Sequence, residues 1–160
     1  GRAIGIYPEL KHPTWLLQEE GIDTVDLLVT ALRQADLDDA DDRVFVQAFE
    51  IGPLQRLDSL VESPLVLLIA PTGGPYDEPA MSWAEIMTPT ALIGDAHAAG
   101  LAVHPWTLRK ENAFLPPALR KGSDAAAQGD LAALVGMVVA AGADGVFTDD
   151  PALVLSALGR

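Results

Sequence analysis

The chain has 160 residues, 49% of them hydrophobic, so it can bury one core and is expected to form a single domain over residues 1–160. Its 10 Lys and Arg against 23 Asp and Glu give a net charge of −13, which argues against nucleic acid or an anionic membrane as a partner. The absence of cysteine excludes a disulfide framework and thiolate chemistry and leaves the compartment open. No apolar run has the length of a membrane span.

The first informative stretch is Ile6–Pro13, which places Glu9 and Lys11 two residues apart after an apolar run. On a strand, residues at that spacing point to the same side, so a carboxylate and an ammonium group emerge together. That pair suits a metal and a phosphate, and a strand-end salt bridge is the alternative. Because Pro8 lies just before the pair and Pro13 just after it, the strand should be short, with the polar pair at its carboxyl end.

The helices are predicted from apolar periodicity and from capping residues. Asp23 can cap a helix in which apolar residues recur at Val25, Leu28, Val29 and Leu32. Further helices are predicted from Gly52–Pro53, over Pro89–Ala99, over Leu131–Ala141, and after a cap at Asp150–Pro151. The acidic stretch Asp36–Asp42 lacks the Gly and the distal Glu of a calcium loop, so it is expected to be a solvated loop.

Five strands are predicted, beginning with the one at Ile6. The other four are short apolar or β-branched runs, namely Arg43–Phe49, Pro64–Pro71, Leu101–Thr107 and Ala143–Asp149. Strands that alternate with helices in this way predict an α/β fold of parallel βα units with right-handed crossovers. A lone strand histidine such as His104 is usually a hydrogen-bonded core group.

In such folds, functional residues collect at the carboxyl ends of the strands. The polar and aromatic residues at these ends are Glu9, Lys11, Gln47, Phe49, His104, Trp106, Thr148 and Asp149. This set is too polar and too aromatic for a plain core. No Ser-His-acid triad, HExxH motif or dinucleotide fingerprint is present in the sequence.

Four blocks, in this order, carry a specific resemblance: GIYPELKHPTW, VFVQAFE, DAHAAGLAVHPWTLRKENAFLP and GADGVFTDDP. They resemble the glycerophosphodiester phosphodiesterase family, in the branch typified by bacterial periplasmic enzymes. The resemblance implies a TIM-barrel fold. It also implies hydrolysis of glycerophosphodiesters to glycerol 3-phosphate and an alcohol, with a divalent cation, calcium or magnesium, as cofactor.

By this resemblance, Glu9 is expected to be a metal ligand and Lys11 the catalytic lysine near the phosphate. Phe49 and Trp106 match positions that line the substrate pocket, and Gln47 accompanies them at the strand end. The chemistry agrees with the charge of the chain. An anionic diester that approaches a protein of net charge −13 needs a bound cation and a lysine to neutralise its oxygens.

The sequence also departs from the family pattern. It lacks the His-Arg-Gly block and the block that pairs Glu and Asp metal ligands with a following His-Asp, and its own histidines (His12, His97, His104) match neither block. The expectation is therefore the carboxyl-terminal part of the enzyme, an incomplete barrel with about five of the eight strands. Its open sheet edges would be covered by a partner or a second copy, its cation affinity would be weak, and hydrolysis by this chain alone would be negligible.

Two alternatives stay open, the first of them from a different functional class. One is a degenerate, non-catalytic module that binds a ligand or dimerises through its open edges. The other is a different metal-dependent barrel hydrolase.

Overall fold

The structure is a computed structural model that describes residues 4–70, 73–79 and 92–160. Four strands form one parallel sheet in the order in which they occur in the chain. They are β1 (Glu9–Leu10), β2 (Val46–Ala48), β3 (Leu65–Ile69) and β4 (Ala102–Pro105). The sheet is open, and helices connect its strands. This arrangement confirms the predicted α/β class of parallel βα units.

Six helices accompany the sheet in the described residues: α1 (Pro13–Glu20), α2 (Thr24–Gln34), α3 (Ile51–Asp58), α4 (Leu92–Ala98), α5 (Leu131–Ala140) and α6 (Pro151–Ala157). The predictions of α2, α3, α5 and α6 are confirmed with small shifts of their bounds. The predicted helix Pro89–Ala99 is confirmed from Leu92, and its first residues lie outside the described part. Sequence reasoning missed α1, because only Pro13 of that helix is buried and no apolar stripe marks it.

The strands bury one face against the helices. Residues that alternate along β2, β3 and β4 join one apolar core with residues of α2 to α4, as Val46, Leu67 and Val103 illustrate. All five residues of β3 are buried, as expected for a strand covered on both faces. A second, smaller core forms where α5 and α6 pack, around Leu134, Val138 and Val154.

The other face of the sheet carries an aromatic cluster, defined as Tyr7, Phe45, His104 and Phe147. The Tyr7 hydroxyl lies 2.6 Å from Nδ1 of His104, a residue 97 positions away. Its ring stacks on Phe147 with a centroid separation of 5.7 Å and meets Phe45 edge-on at 5.9 Å. His104 is therefore hydrogen-bonded, as its strand position predicts, but it is half-buried and not part of the apolar core.

The predicted fifth strand, Ala143–Asp149, is not a regular strand. It runs beside β4 as an extended segment, held by Asp144 N–H to Val103 O (3.0 Å), Phe147 N–H to Pro105 O (3.0 Å) and one isolated bridge. The Asp144 carboxylate accepts the Val103 N–H at 2.8 Å, so a side chain takes the donor that a regular ladder would pair with backbone. The prediction of a fifth strand was wrong in this respect, although the segment occupies its place.

The aromatic cluster should make folding pH-dependent. Burial lowers the pKa of His104 below its ordinary value of 6.5, and the nearby Asp144 charge only partly opposes this. The neutral imidazole is thus favoured in the folded state. Its contribution to the free energy of unfolding is complete above pH 6.5 and is lost as the pH falls through the lower, folded-state pKa.

Urea unfolding at a series of pH values between 7.5 and 5 should show this loss. It should be smaller in His104→Leu and unchanged in His12→Gln, whose histidine is exposed. An identical pH slope in wild type and His104→Leu would contradict the assignment.

Candidate active site at the carboxyl edge of the sheet

A pocket of about 400 Å³ opens where the four strands end. Every strand contributes to its lining through the residues at or just after its carboxyl end. The lining residues are Glu9, Leu10, Lys11, His12, Phe49, Glu50, Ala70, Gly73, Gly74, Tyr76 and Trp106. Four residues predicted as functional from the sequence, Glu9, Lys11, Phe49 and Trp106, are therefore brought together in one cavity.

The parallel register explains why these residues meet. Glu9 pairs with Gln47 and Leu10 with Ala48, so the chain leaves β1 beside the point where it leaves β2. The same register continues through β3 to β4, where Ile69 pairs with Pro105. Side chains that are far apart in sequence thus share one edge of the sheet.

Glu9 and Lys11 form an ion pair at this edge. Lys11 Nζ lies 3.7 Å from Glu9 Oε2, and the two side chains are 73% and 23% exposed. An ion pair with this exposure contributes little to stability, since water screens it and the long lysine must be ordered. Both side chains line the pocket and are accessible from it. The observed ion pair is therefore compatible with both interpretations of the sequence, a strand-end salt bridge and a binding site.

Two aromatic rings form the apolar wall. Phe49 follows β2 and Trp106 follows β4, and their rings meet edge to face with a centroid separation of 6.0 Å and an interplanar angle of 88°. Trp106 is 50% exposed. Its free face offers an apolar surface to a small ligand.

Gln47 lies apart from these four residues. It does not line the pocket and is only 7% exposed. Its Nε2 donates to the Tyr7 carbonyl at 3.3 Å, whereas its Oε1 is buried and has no hydrogen-bond partner in the described part of the chain. Gln47 therefore belongs to the layer beside the aromatic cluster, and its predicted role in substrate binding stays a prediction.

Sequence reasoning did not single out Glu50, which also lines the pocket. This residue is 3% exposed, and its Oε2 accepts the N–H of Thr14 in the first turn of α1 at 3.0 Å. The contact fixes the start of α1 and thereby the turn that carries Lys11 and His12 into the pocket. The only signal in the sequence was its place directly after Phe49 in one of the four blocks.

Asp77 is a second residue that the sequence did not reveal. Its carboxylate accepts the N–H groups of Ile51 at 3.2 Å and Gly52 at 2.5 Å, at the start of α3. This contact holds the loop of residues 73–79, and with it Tyr76, against the pocket. A side chain at Gly52 would crowd the carboxylate, since a Cβ there would lie 3.1 Å from Asp77 Oδ2.

The cations that follow β4 already have partners. Arg109 Nε lies 3.0 Å from Asp149 Oδ2, and its guanidinium lies 4.2 Å from the centre of the Phe114 ring. Lys110 Nζ donates to Asp150 Oδ1 at 2.5 Å. Asp150 was predicted to cap α6. It occupies that position, but its side chain makes no capping hydrogen bond because Lys110 engages it.

The described residues contain no group of three or more His, Cys, Asp or Glu that could hold a metal ion. Two carboxyl groups, Glu9 and Glu50, do line the pocket. A hard cation such as Mg²⁺ is commonly held by one or two carboxylates, with phosphate and water oxygens in its other positions. The donors present fit that mode of binding and do not form a cage built from protein alone. None of the helices in the described ranges is long and apolar enough to cross a membrane.

Comparison with known proteins finds relatives in sequence and in fold. The chain is 27% identical to a glycerophosphodiester phosphodiesterase of Arabidopsis thaliana, in a match that covers 71% of this chain and 42% of that protein. A structure from Silicibacter pomeroyi, assigned to the glycerophosphoryl diester phosphodiesterases, superposes with a TM-score of 0.54 at 19% identity and covers 96% of this chain and 50% of its own. A glycerophosphodiester phosphodiesterase from Parabacteroides distasonis gives 0.51 at 15% identity, with 95% and 55% covered.

The chain thus spans about half the length of the relatives that it matches. At these identities the two solved structures show the fold alone, and the open four-stranded sheet corresponds to part of their barrel. The predicted incomplete TIM barrel is confirmed. A family model for glycerophosphoryl diester phosphodiesterases matches residues 1–153. The chain therefore belongs to the glycerophosphoryl diester phosphodiesterase family.

Proposed function

We propose that this chain carries the substrate and cation pocket of a glycerophosphodiester phosphodiesterase. The reaction is the hydrolysis of a glycerophosphodiester to glycerol 3-phosphate and an alcohol. The observation that carries the proposal is the convergence of Glu9, Lys11, Phe49 and Trp106 on one pocket at the carboxyl edge of the sheet. Family membership supports the reaction class.

Glu9 would hold a divalent cation, calcium or magnesium, whose positive charge neutralises and polarises the phosphodiester. Lys11 lies beside it and would contact the same phosphate, since its ammonium group is exposed within the pocket. Both charges are needed because the chain carries a net charge of −13, which repels an anionic substrate at long range. Phe49 and Trp106 would pack against the glycerol or the leaving alcohol, with Gln47 behind them.

The pocket has the dimensions of a small-molecule site. Its volume of about 400 Å³ lies within the range of ligand pockets, and its lining combines aromatic rings with the polar residues at the end of β1. A phosphodiester has the same division into a charged centre and less polar arms. This match supports a head group of modest size as the natural ligand.

We expect the 160-residue chain to bind without turnover. The family blocks that carry the catalytic histidines and the paired Glu and Asp ligands are not in its sequence, and the histidine at the pocket, His12, matches neither. Release of glycerol 3-phosphate from glycerophosphocholine, measured with calcium or magnesium, should stay at the level of an EDTA control. Turnover that both EDTA and Glu9→Ala abolish would contradict this expectation.

Binding should depend on Lys11 even where turnover is absent. Replacing it by Ala removes an ammonium group from the phosphate, which should weaken binding of glycerol 3-phosphate in the presence of Mg²⁺ by roughly tenfold, about 1.4 kcal/mol. NMR titration of the labelled chain measures this. The matched control is Lys121→Ala, which makes the same charge change at an exposed lysine paired with Asp130. If the two variants bind glycerol 3-phosphate with equal affinity, Lys11 does not contact the phosphate.

A second candidate, a module that binds or self-associates through its sheet edge, is favoured by one observation. Ile6 is 44% exposed and Ile4 is 85% exposed, along the approach to the edge strand β1. An apolar, unpaired edge favours association with another chain.

Sedimentation velocity tests this candidate. If a second copy covers this edge, the wild-type chain should sediment as a dimer and Ile6→Lys as a monomer. Leu27→Lys, at a side chain 61% exposed on α2, should behave as the wild type does. A monomeric wild-type chain across the accessible concentrations would remove the self-associating module from consideration.

A further inference from the structure

We propose that Glu50 is a second carboxylate ligand of the cation in the pocket, alongside Glu9. The inference rests on the proposed function, because it takes the pocket to bind a divalent cation together with a phosphodiester. It adds a ligand that the resemblance did not supply.

Glu50 is a buried carboxylate without a cationic partner among the described residues. The residue is 3% exposed, yet no Lys, Arg or His of the described residues lies within ion-pair distance of it. Among the described residues, one hydrogen bond to its carboxylate is formed, from the Thr14 N–H to Oε2. A buried carboxylate is normally paired with a cation or coordinates a metal, because burying an uncompensated charge is costly.

Other carboxylates of the described residues are engaged by partners. Asp150 has Lys110 as its partner, and Asp23 has Arg56. Asp77 has both of its oxygens engaged by backbone N–H groups. Glu50 differs from all three in combining burial, a place on the pocket wall and an Oε1 that accepts no hydrogen bond from the described part of the chain.

Glu50 and Glu9 line one pocket with the donor chemistry of a cation site. Glu9 lies in β1, and Glu50 follows β2. These two strands are hydrogen-bonded neighbours, and residues at their carboxyl ends line the same pocket. Two carboxylates with phosphate and water oxygens form a common magnesium site. The Thr14 N–H that holds Oε2 would leave Oε1 as the oxygen for the cation, and ligating carboxylates are commonly oriented by such a second hydrogen bond.

The competing reading is that Glu50 only anchors the first turn of α1. Glutamine separates the two roles, since its amide oxygen can still accept the Thr14 N–H while the negative charge is gone. Under the anchoring role, Glu50→Gln keeps the cation affinity of the wild type. Under the ligand role, it loses affinity without losing the fold.

The experiment titrates Mn²⁺ alone into the ¹⁵N-labelled chain and follows paramagnetic broadening of the backbone amide signals. We expect saturable broadening around residues 9–12 and 49–50, with a dissociation constant on the order of 1 mM. Glu9→Gln and Glu50→Gln should each weaken binding by about tenfold or more. Glu20→Gln, at an exposed position of α1, makes the same charge change and should leave the affinity unchanged.

The outcomes separate this inference from the proposed function. Wild-type affinity in Glu50→Gln, with affinity lost in Glu9→Gln, would overturn the role of Glu50 and leave the cation site at Glu9 intact. Wild-type affinity in both variants, or no saturable broadening in the wild type, would overturn the cation site itself.

Two readouts keep the test valid if a variant is damaged. The Thr14 amide signal and the urea midpoint without metal report the fold, and Glu50→Gln should be at least as stable as the wild type because a buried charge has been removed. Glu50→Asp keeps the charge and should bind Mn²⁺ more tightly than Glu50→Gln does. Equal affinity in these two variants would count against a charged ligand at this position.

Discussion

The parallel hydrogen bonding between β1 and β2 is the constraint on which the pocket depends. It sets Glu9 opposite Gln47, so that two segments almost 40 residues apart leave the sheet at the same place. Glu9 and Lys11 from β1 and the loop after it then line the same pocket as Phe49, which follows β2. Without this register, the carboxylate, the lysine and Phe49 would be separate surface features with no common ligand.

Three carboxylates connect elements that are distant in the sequence. Each accepts a backbone N–H group from another part of the chain. Glu50 holds the first turn of α1, Asp77 holds the start of α3, and Asp144 holds β4 against the last extended segment. Each of these contacts replaces a local cap or a ladder bond by one from another part of the chain. Glu50 and Asp77 thus add contacts between elements beside the pocket to the apolar packing of the sheet.

Much of the fold could be predicted from the sequence because it rests on local patterns. The stripe of Val25, Val29 and Leu32 marked α2, the continuous run of β3 marked a doubly covered strand, and the four sequence blocks indicated the family. Where the pattern is weak, the prediction failed. Helix α1 has no apolar stripe, and the fifth strand is irregular because the Asp144 side chain occupies a donor of β4.

The sequence predicted only those site residues that spacing along a strand or a family block marks. Spacing and resemblance identified Glu9, Lys11, Phe49 and Trp106, and these share the pocket. The depth of Gln47 and the burial of Glu50 depend on packing between elements, which no local pattern reports. Asp77 meets Gly52 across 25 positions, so its function as a helix cap is invisible until the chain is folded.

The shortness of β1 links the order of this strand to the occupancy of the pocket. Within the described residues, the strand has two residues in its ladder and one isolated bridge, from Ile6 to Val44, and it pairs on one side only, at the edge of the sheet. So few backbone bonds make it one of the parts of the fold that open at low free energy, well below global unfolding. A ligand held between the carboxyl ends of β1 and β2 binds only the state in which β1 is paired with β2. It therefore shifts the equilibrium between the paired and the detached strand toward the paired state. Its measured affinity therefore includes the free energy of closing the first strand onto the sheet.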